Sequence, residues 1–427
     1  MRAMKDSGIA WIGEIPADWS ITILSALFYE RKCKNRGLVE KNLLSLSYGN
    51  IVRKSIESNE GLLPASFETY NIVESGNIVF RLTDLQNDKR SLRTGLCKER
   101  GIITSAYVTL QIRSDDSPRY MHYLFHTYDL CKVFYGLGDG VRQGMNYEDL
   151  KHLQVLRPDL KTQHRIADYL DRKCSQIDAI IARQQEVVEK LKAYKLSVIT
   201  EAVTKGLNPH APMKDSGVEW IGEIPEQWKV AKLKFVASFC NGDRSSKYPS
   251  GTDIVDEGVI FVTSNNLGNT FLDTTISTKY ITKEKCDDLG GAKIRINDII
   301  FCLRGSVGKC SINKSENEGT IASSLVVIRA KKILADYLIF ALQCPGITAV
   351  STLNAIGIGS LNLSADDISE IFIPIPPEKE AAEIAEFLYK RIGKIDHVIN
   401  EKNNYVNHFV MYKRALIYEI VTGKKDV

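Results

Sequence analysis

Gln163–Gly206 reads QHRIADYLDRKCSQIDAIIARQQEVVEKLKAYKLSVITEAVTKG, and Ile384–Lys424 reads IAEFLYKRIGKIDHVINEKNNYVNHFVMYKRALIYEIVTGK. An offset of 218 positions carries Ile166, Ala167, Leu170, Ile177, Asp178, Tyr194, Lys195, Glu201, Val203 and Thr204 onto identical residues, without a gap. Internal repetition of this kind decides an architecture before any local propensity does. Each copy carries a heptad seam: Leu170, Ile177, Gln184, Leu191 and Val198 in the first, Leu388, Ile395, Lys402, Phe409 and Leu416 in the second. Three residues on come Lys173, Ile180, Val187 and Tyr194, with Val398, Tyr405 and Tyr412 in the second copy. Ile181, Val188, Ile399 and Val406 widen the stripe. This spacing predicts a helix packed along its length on another helix. Neither copy has an internal proline, and about 40 residues at about 1.5 Å each make a rod of roughly 60 Å. Two copies in one chain most simply pair with each other, antiparallel. Gln184 and Lys402 stand at one matching seam position, where a polar residue fixes register.

A second repeat precedes each helix. MKDSGIAWIGEIPADW (Met4–Trp19) returns as MKDSGVEWIGEIPEQW (Met213–Trp228), identical at 12 of 16 positions and holding all four tryptophans. It reads as a clasp, either a structural lead-in to each half or an anchor for a common partner. Between clasp and helix, short β-type runs (Leu43–Ser47, Ile78–Leu82, Tyr107–Ile112) mix with a helical stretch at Tyr120–Phe134. The same skeleton shows in the second half: GIITSAYVTLQI at Gly101 matches GTIASSLVVIRA at Gly319, and GNIVF at Gly76 resembles NDIIF at Asn297. The segment MNYEDLKHLQVLRP also matches LSADDISEIFIPIP, aligning Asp149 with Asp367. The expected fold class is therefore α+β. Two pseudo-symmetric α/β domains, at 1–157 and 208–375, alternate with two long helices, at 158–207 and 376–427, packed as an antiparallel coiled coil.

The 427 residues, 44% hydrophobic and 25% charged, suit a soluble multidomain protein, and a net charge of +4 is compatible with nucleic acid without requiring it. No apolar run is long enough to span a bilayer, and the first residues do not read as a signal peptide. The nine cysteines are scattered and form no C-x-x-C pair, so they read as reduced thiols of a cytoplasmic protein and no metal site is expected. Catalytic motifs are missing. RGSVGKC at Arg304 imitates a phosphate-binding loop, but Leu303 replaces its first glycine and Cys310 its hydroxyl residue. There is no H-E-x-x-H, G-x-S-x-G, N-P-P-[FY] or D-P-P-Y.

The loops are rich in side chains that read base edges and hold phosphates. Arg and Lys suit guanine, Asn and Gln suit adenine, and Lys, Arg, Ser and Tyr position the backbone. In the first domain these are Tyr48, Asn50, Arg53, Lys54, Arg81, Gln86, Asn87, Lys89, Arg90, Arg93, Arg142 and Gln143. In the second they are Arg244, Ser245, Lys247, Tyr248, Ser264, Asn265, Asn266, Arg304, Lys309 and Ser360. A constant frame carrying two different sets of loops suits a molecule that reads two different things while presenting two equivalent faces to a partner.

The clasp and its copy, the proline-led helix starts RPDLKTQHRIADYLDRKCSQID and PPEKEAAEIAEFLYKRIGKID, and the helix exits SVITEAVTKG and ALIYEIVTGK resemble the specificity subunits of Type I restriction-modification systems. That resemblance covers the whole chain. It implies a non-catalytic reader in which each α/β domain is a target-recognition domain for one half of a split double-stranded DNA site and the helices act as a ruler. It further implies two methyltransferase subunits docked on the helices and two restriction-translocase subunits joining them, with S-adenosylmethionine, ATP and Mg on those partners and no cofactor here. Two rivals are a self-contained methyltransferase-nuclease and a coiled-coil scaffold with two protein-binding domains. The first lacks its motifs, and the second leaves the loop composition unexplained.

Overall fold

The computed structural model describes residues 2–55, 66–83, 92–136, 144–268, 270–275, 278–354 and 363–427, with 351–354 as backbone only. The two repeated segments are single helices, Leu160–Lys205 and Glu378–Val421. Contacts divide the chain into two units, and the division falls inside these helices. One unit holds Met1–Gln184 and Asn404–Val427, the other Gln185–Asn403. Each unit is thus one clasp, one α/β domain and half of each long helix.

In the first unit the helix halves run antiparallel, with Asp178 bonded to Lys413 at 2.7 Å. In the second the reciprocal pair, Lys195 and Asp396, is also 2.7 Å apart. The seam positions Leu170, Ile177, Leu388, Ile395 and Leu416 are buried, while Gln184, Leu191, Val198, Lys402 and Phe409 are half-buried. The companion row differs from the sequence expectation. Ile180, Tyr194, Tyr405 and Tyr412 are exposed, and the buried companions lie four residues on from the seam, at Val188 and Ile399, which the sequence placed at the stripe's margin, and at Cys174 and Ile392. Apolar residues stand at both spacings, as at Ile180 and Ile181, and only the position of the facing helix chooses between them.

The α/β domain of the first unit is built on a four-stranded antiparallel sheet in the order Phe28–Glu30, Val108–Ile112, Ile78–Phe80, Thr94–Leu96. The second unit repeats it as Ala237–Asn241, Leu325–Ala330, Ile299–Cys302, Cys310–Ile312. The matched segments at Gly76 and Asn297 therefore supply an interior strand in each unit. The helical stretch of the first unit is Pro118–Leu130, capped by Ser117. Each domain is closed where the chain enters and leaves it, by Ser20–Ile23 pairing with Gln154–Arg157 and by Lys229–Lys232 pairing with Phe372–Ile375. The aligned Asp149 and Asp367 prove to be capping-box residues. Each accepts the N-terminal amide of a short helix, from Asn146 at 2.8 Å and from Ser364 at 2.9 Å.

The second sheets diverge. The second unit pairs Ile254–Val255, Lys279–Ile281, Val259–Val262 and Gly319–Ile321 in one sheet, with Val259–Val262 and Gly319–Ile321 parallel. The first unit has separate pairs, Asn71–Val73 with Gly101–Ile103 and Leu44–Ser47 with Asn50–Arg53. RGSVGKC runs from strand to strand, joining Ile299–Cys302 to Cys310–Ile312 as a hairpin, so it lacks the helix start that a phosphate-binding loop needs.

Each clasp is a small hairpin, Met4–Asp6 with Glu14–Pro16 and Met213–Asp215 with Glu223–Pro225. Trp19 and Trp228 are buried, in the first unit with Ile417, Ile420 and Val421, in the second with Ile199, Ala202 and Val203. The clasp therefore seals the C-terminal end of a long helix within its own unit. Those ends share a design. Gly423 and Gly206 turn the chain at φ near +72° and +73°, the left-handed conformation that closes a helix at little steric cost to glycine. A tyrosine hydroxyl then donates to a last-turn carbonyl, Tyr120 to Val421 at 3.3 Å and Tyr337 to Val203 at 3.2 Å.

Candidate nucleic-acid interface

Where each α/β domain meets the helix pair, a cleft opens. The cleft of the first unit, about 550 Å³, has a helical floor that includes Asp178, Ile181, Val410, Lys413, Arg414 and Ile417. The cleft of the second, about 450 Å³, has Lys192, Lys195, Leu196, Ile199, Asp396 and Ile399. The offset of 218 carries Asp178, Ile181, Val410, Lys413, Arg414 and Ile417 onto Asp396, Ile399, Lys192, Lys195, Leu196 and Ile199, so the two floors correspond position by position. The ion pair in each floor holds two charges that recur in both sequence copies. That recurrence is the one signal in the sequence that could have led to this site, and it does not reveal which lysine meets which aspartate.

The walls differ. In the first unit they include Tyr48, Gly49, Asn50, Lys98, His122 and His126. Tyr48 and Asn50 flank the tight turn between Leu44–Ser47 and Asn50–Arg53, where Gly49 has φ +81° and Tyr48 itself φ +45°. The Tyr48 ring is 74% exposed, an apolar face held out to solvent on a backbone conformation that costs a non-glycine residue free energy. Burial pushes His122 down to about 4 and His126 down to about 3, helped by the nearby charges of Lys98 for His122 and of Lys413 and Arg414 for His126. Both rings are neutral at neutral pH and add no positive charge to this wall.

The other first-domain residues sort by their partners. Arg53 is forked onto Glu99, with its Nε at 2.8 Å, and Lys54 is exposed. Arg81 continues the interior strand and is half-buried. Arg93 departs from the expectation of a DNA-facing side chain. It is fully buried, donates to the Thr83 carbonyl at 2.6 Å and lies over the Tyr135 ring. A guanidinium with its donors turned onto backbone carbonyls holds the 81–83 turn in place. Gln86, Asn87, Lys89, Arg90, Arg142, Gln143 and Ser360 lie outside the described residues.

In the second domain Arg244, Ser245 and Lys247 form an exposed loop organised by Asp243, which accepts the amides of Ser245 at 2.6 Å and Gly290 at 2.7 Å. The Ser245 hydrogen bonds, backed by that of Gly290, hold the Asp243 carboxyl below its usual range. Gly242 and Gly291 let the backbone of this loop cross its neighbours, since a Cβ on either would meet main-chain atoms at 2.3 Å. Lys247 is paired with Asp288, and Tyr248 packs edge-on against Phe261. Asn265 is exposed and Ser264 half-buried, but Asn266 is buried. Asn266 accepts the Thr263 amide at 2.9 Å and donates to the Asp273 carbonyl at 3.0 Å. Its amide therefore shapes the turn and has none of the exposure that base reading requires. Arg304 and Lys309 project from the hairpin of Gly305 and Gly308, and Lys309 lines the cleft.

Burial pushes the thiols of Cys97, Cys310 and Cys344 up to about 12, which keeps them protonated at neutral pH and poor as nucleophiles. Among the described residues no group of three or more His, Cys, Asp or Glu is placed to hold a metal ion, and no helix is long and apolar enough to cross a membrane.

A family model described as the Type I restriction modification DNA specificity domain matches residues 225–408. The chain is 23% identical over 425 residues to the Type I restriction enzyme MjaVIII specificity subunit of Methanocaldococcus jannaschii, covering 96% of this chain and 93% of that one. It is 27% identical over 312 residues to the putative type I restriction enzyme MjaX specificity subunit of the same organism, covering 72% and 68%. In fold it is similar to a chain from a solved structure of a type I R-M system, with a TM-score of 0.67, 14% identity and coverage of 96% and 99%.

Proposed function

We infer that this chain is a DNA-specificity subunit of a Type I restriction-modification system. One observation carries the reading of two half-sites: helical floors that match position by position, and share an Asp–Lys pair and two isoleucines, lie under two unlike sets of wall residues. Contacts that position a phosphate backbone are independent of sequence, whereas contacts to base edges must change with the sequence read. Each unit reads one half of a bipartite target. The first uses the Tyr48–Asn50 turn and neighbouring loop residues, the second uses Arg244, Lys247, Asn265, Arg304 and Lys309.

The chain itself is the non-catalytic reader. Two methyltransferase subunits bring S-adenosylmethionine and the residues that methylate adenine. Two restriction-translocase subunits bring ATP and Mg when DNA is cut. Helix length sets the gap in the target, since one added heptad lengthens a helix by roughly 10 Å, about three base pairs.

The test is co-expression of the full chain with its methyltransferase subunit in methylation-free cells, followed by sequencing for modified adenines. The expected result is one split motif with a fixed gap, absent when this chain is omitted. Methylation unchanged by the omission overturns the reading.

A further inference from the structure

Among the described residues, four that are not glycine carry a left-handed backbone: Leu38, Tyr48, Lys132 and Asn297. Asparagine tolerates that conformation. Lys132 follows the helix Pro118–Leu130 and donates its amide to the Asp129 carbonyl at 3.0 Å. Leu38 and Tyr48 are different, because both are large, largely apolar side chains that stand exposed, and both belong to the first unit. Of these two, only Tyr48 lines the cleft.

Tyr48 is held against its own preference. Ser47 pairs with Asn50, so Tyr48 and Gly49 are the two central residues of a hairpin turn, and both have positive φ. Asn-Gly and Asp-Gly make that turn most readily. Gly49 suits it and backs onto Leu92, which a Cβ would meet at 3.1 Å. Tyr48 does not suit it. The Asn50 side chain reaches the Tyr48 carbonyl at 3.4 Å, but the ring and hydroxyl of Tyr48 meet no partner among the described residues and stand in solvent. Strain that no contact inside the fold repays points to a contact made outside it.

The charges around the ring say what that contact is. Two carboxylates and four permanent cations line the cleft. The carboxylates are already taken, Asp171 by Arg119 at 2.6 Å and Asp178 by Lys413 at 2.7 Å. Lys98 and Arg414 are left over, both exposed and without an ion pair among the described residues. A free aromatic ring beside unpaired cations suits stacked bases flanked by phosphates.

We propose that Tyr48 is a wedge: its ring enters the base stack at one step of the first half-site, while Lys98 and Arg414 hold phosphates beside it. This deepens the two-half-site reading above and rests on it. The first unit then recognises its half-site partly by how readily that step unstacks, a property that varies with sequence. Among the described residues the second unit has no such side chain, since Asn297 is its one left-handed residue other than glycine. Its half-site is read without a wedge.

The test uses the full chain with its methyltransferase subunit, bound to duplexes of the motif found by methylation sequencing. Fluorescent analogues of adenine and guanine (2-aminopurine and 6-methylisoxanthopterin) replace one base at a time, on either strand, in and beside each half. The methylated adenine is left natural, since a methyltransferase extrudes its target base. Wild type is expected to raise the fluorescence at one step of the first half-site and nowhere in the second. Tyr48→Phe keeps the signal. Tyr48→Ala and Tyr48→Asn lose it and weaken binding by about 10-fold or more. Because asparagine suits the turn, Tyr48→Asn leaves the thermal midpoint of the free chain unchanged or higher. Leu38→Ala, strained and exposed but outside the cleft, changes neither signal nor affinity. The proposal falls if the signal is absent, survives Tyr48→Ala or disappears with Leu38→Ala. It falls if Tyr48→Phe loses the signal, which makes the hydroxyl a base reader, or if Tyr48→Asn lowers the midpoint, which makes the ring a packing element. A split motif without a Tyr48-dependent signal removes the wedge alone. Wild type without a split motif removes the specificity reading, and the wedge with it.

Discussion

Trp19 and Trp228 occupy the same place in the repeated clasp, and both are buried against the end of a long helix. Their indole nitrogens are treated differently. That of Trp228 donates at 2.9 Å to Glu380, which stands in the first turn of the second long helix and also accepts from Gln227 at 3.0 Å. That of Trp19 has no hydrogen-bond partner among the described residues, and the position matching Glu380 is Thr162. Instead, Arg2 lies over the Trp19 ring and is bonded to Asp18 at 2.8 Å and Asp426 at 3.0 Å. Two clasps that are nearly identical in sequence thus bury the same ring and differ in what ties it down. Apolar packing was duplicated with the repeat. The polar contacts were not: a residue outside the repeat satisfies the Trp228 indole, whereas Arg2 only lies over the Trp19 ring.

The largest expected difference between the ends comes from their closing glycines. A Cβ on Gly423 would lie 2.3 Å from the Pro16 ring and 3.1 Å from Trp19, whereas one on Gly206 would lie 2.9 Å from the Glu380 carboxylate and 3.2 Å from Trp228, with no overlap as close as that at Pro16. Gly423→Ala is expected to destabilise the first unit by about 2–4 kcal/mol, adding overpacking to left-handed strain. Gly206→Ala should cost the second unit about 1–2 kcal/mol. Hydrogen exchange resolved by unit checks this, and equal costs would mean that the two ends are packed alike.

Removing the carboxylate that distinguishes the clasps has a smaller effect. Glu380→Ala leaves the Trp228 indole in the state of Trp19, and should lower the stability of the second unit by about 1–3 kcal/mol without changing the first. Denaturant unfolding of the full chain followed by tryptophan fluorescence reads it.

The smallest difference is in pH response. His122 and His126 are held neutral in the folded first unit, with values near 4 and 3 against about 6.5 in an unfolded chain. Between these values the unfolded chain binds more protons, so stability falls as pH drops from about 6.5 towards 4. The second unit has only His210 and His397, both exposed. Acidification should therefore weaken the first unit by on the order of 1 kcal/mol more than the second. Melting curves with and without His122→Gln and His126→Gln would expose a carboxylate origin if the difference persisted.

Much of this architecture was legible in the chain because repetition is visible without coordinates. The long helices, the clasps and the shared strands all follow from residues that recur at fixed offsets. The sites were less legible. Arg93 and Asn266 have the chemistry of base readers, but burial spends their donors on Thr83 and Asp273. Composition cannot distinguish an arginine that faces solvent from one that props a turn.

Sequence by itself determined the secondary-structure frame, since heptad spacing, capping residues and closing glycines act within a few residues of one another. Only the tertiary structure decided which companion row of each helix is buried, which aspartate meets which lysine, and which of Trp19 and Trp228 finds a hydrogen-bond partner. Those outcomes join residues as far apart as Asp178 and Lys413, or Trp228 and Glu380. A contact over that separation is set by how surfaces meet in space, and no local pattern encodes it.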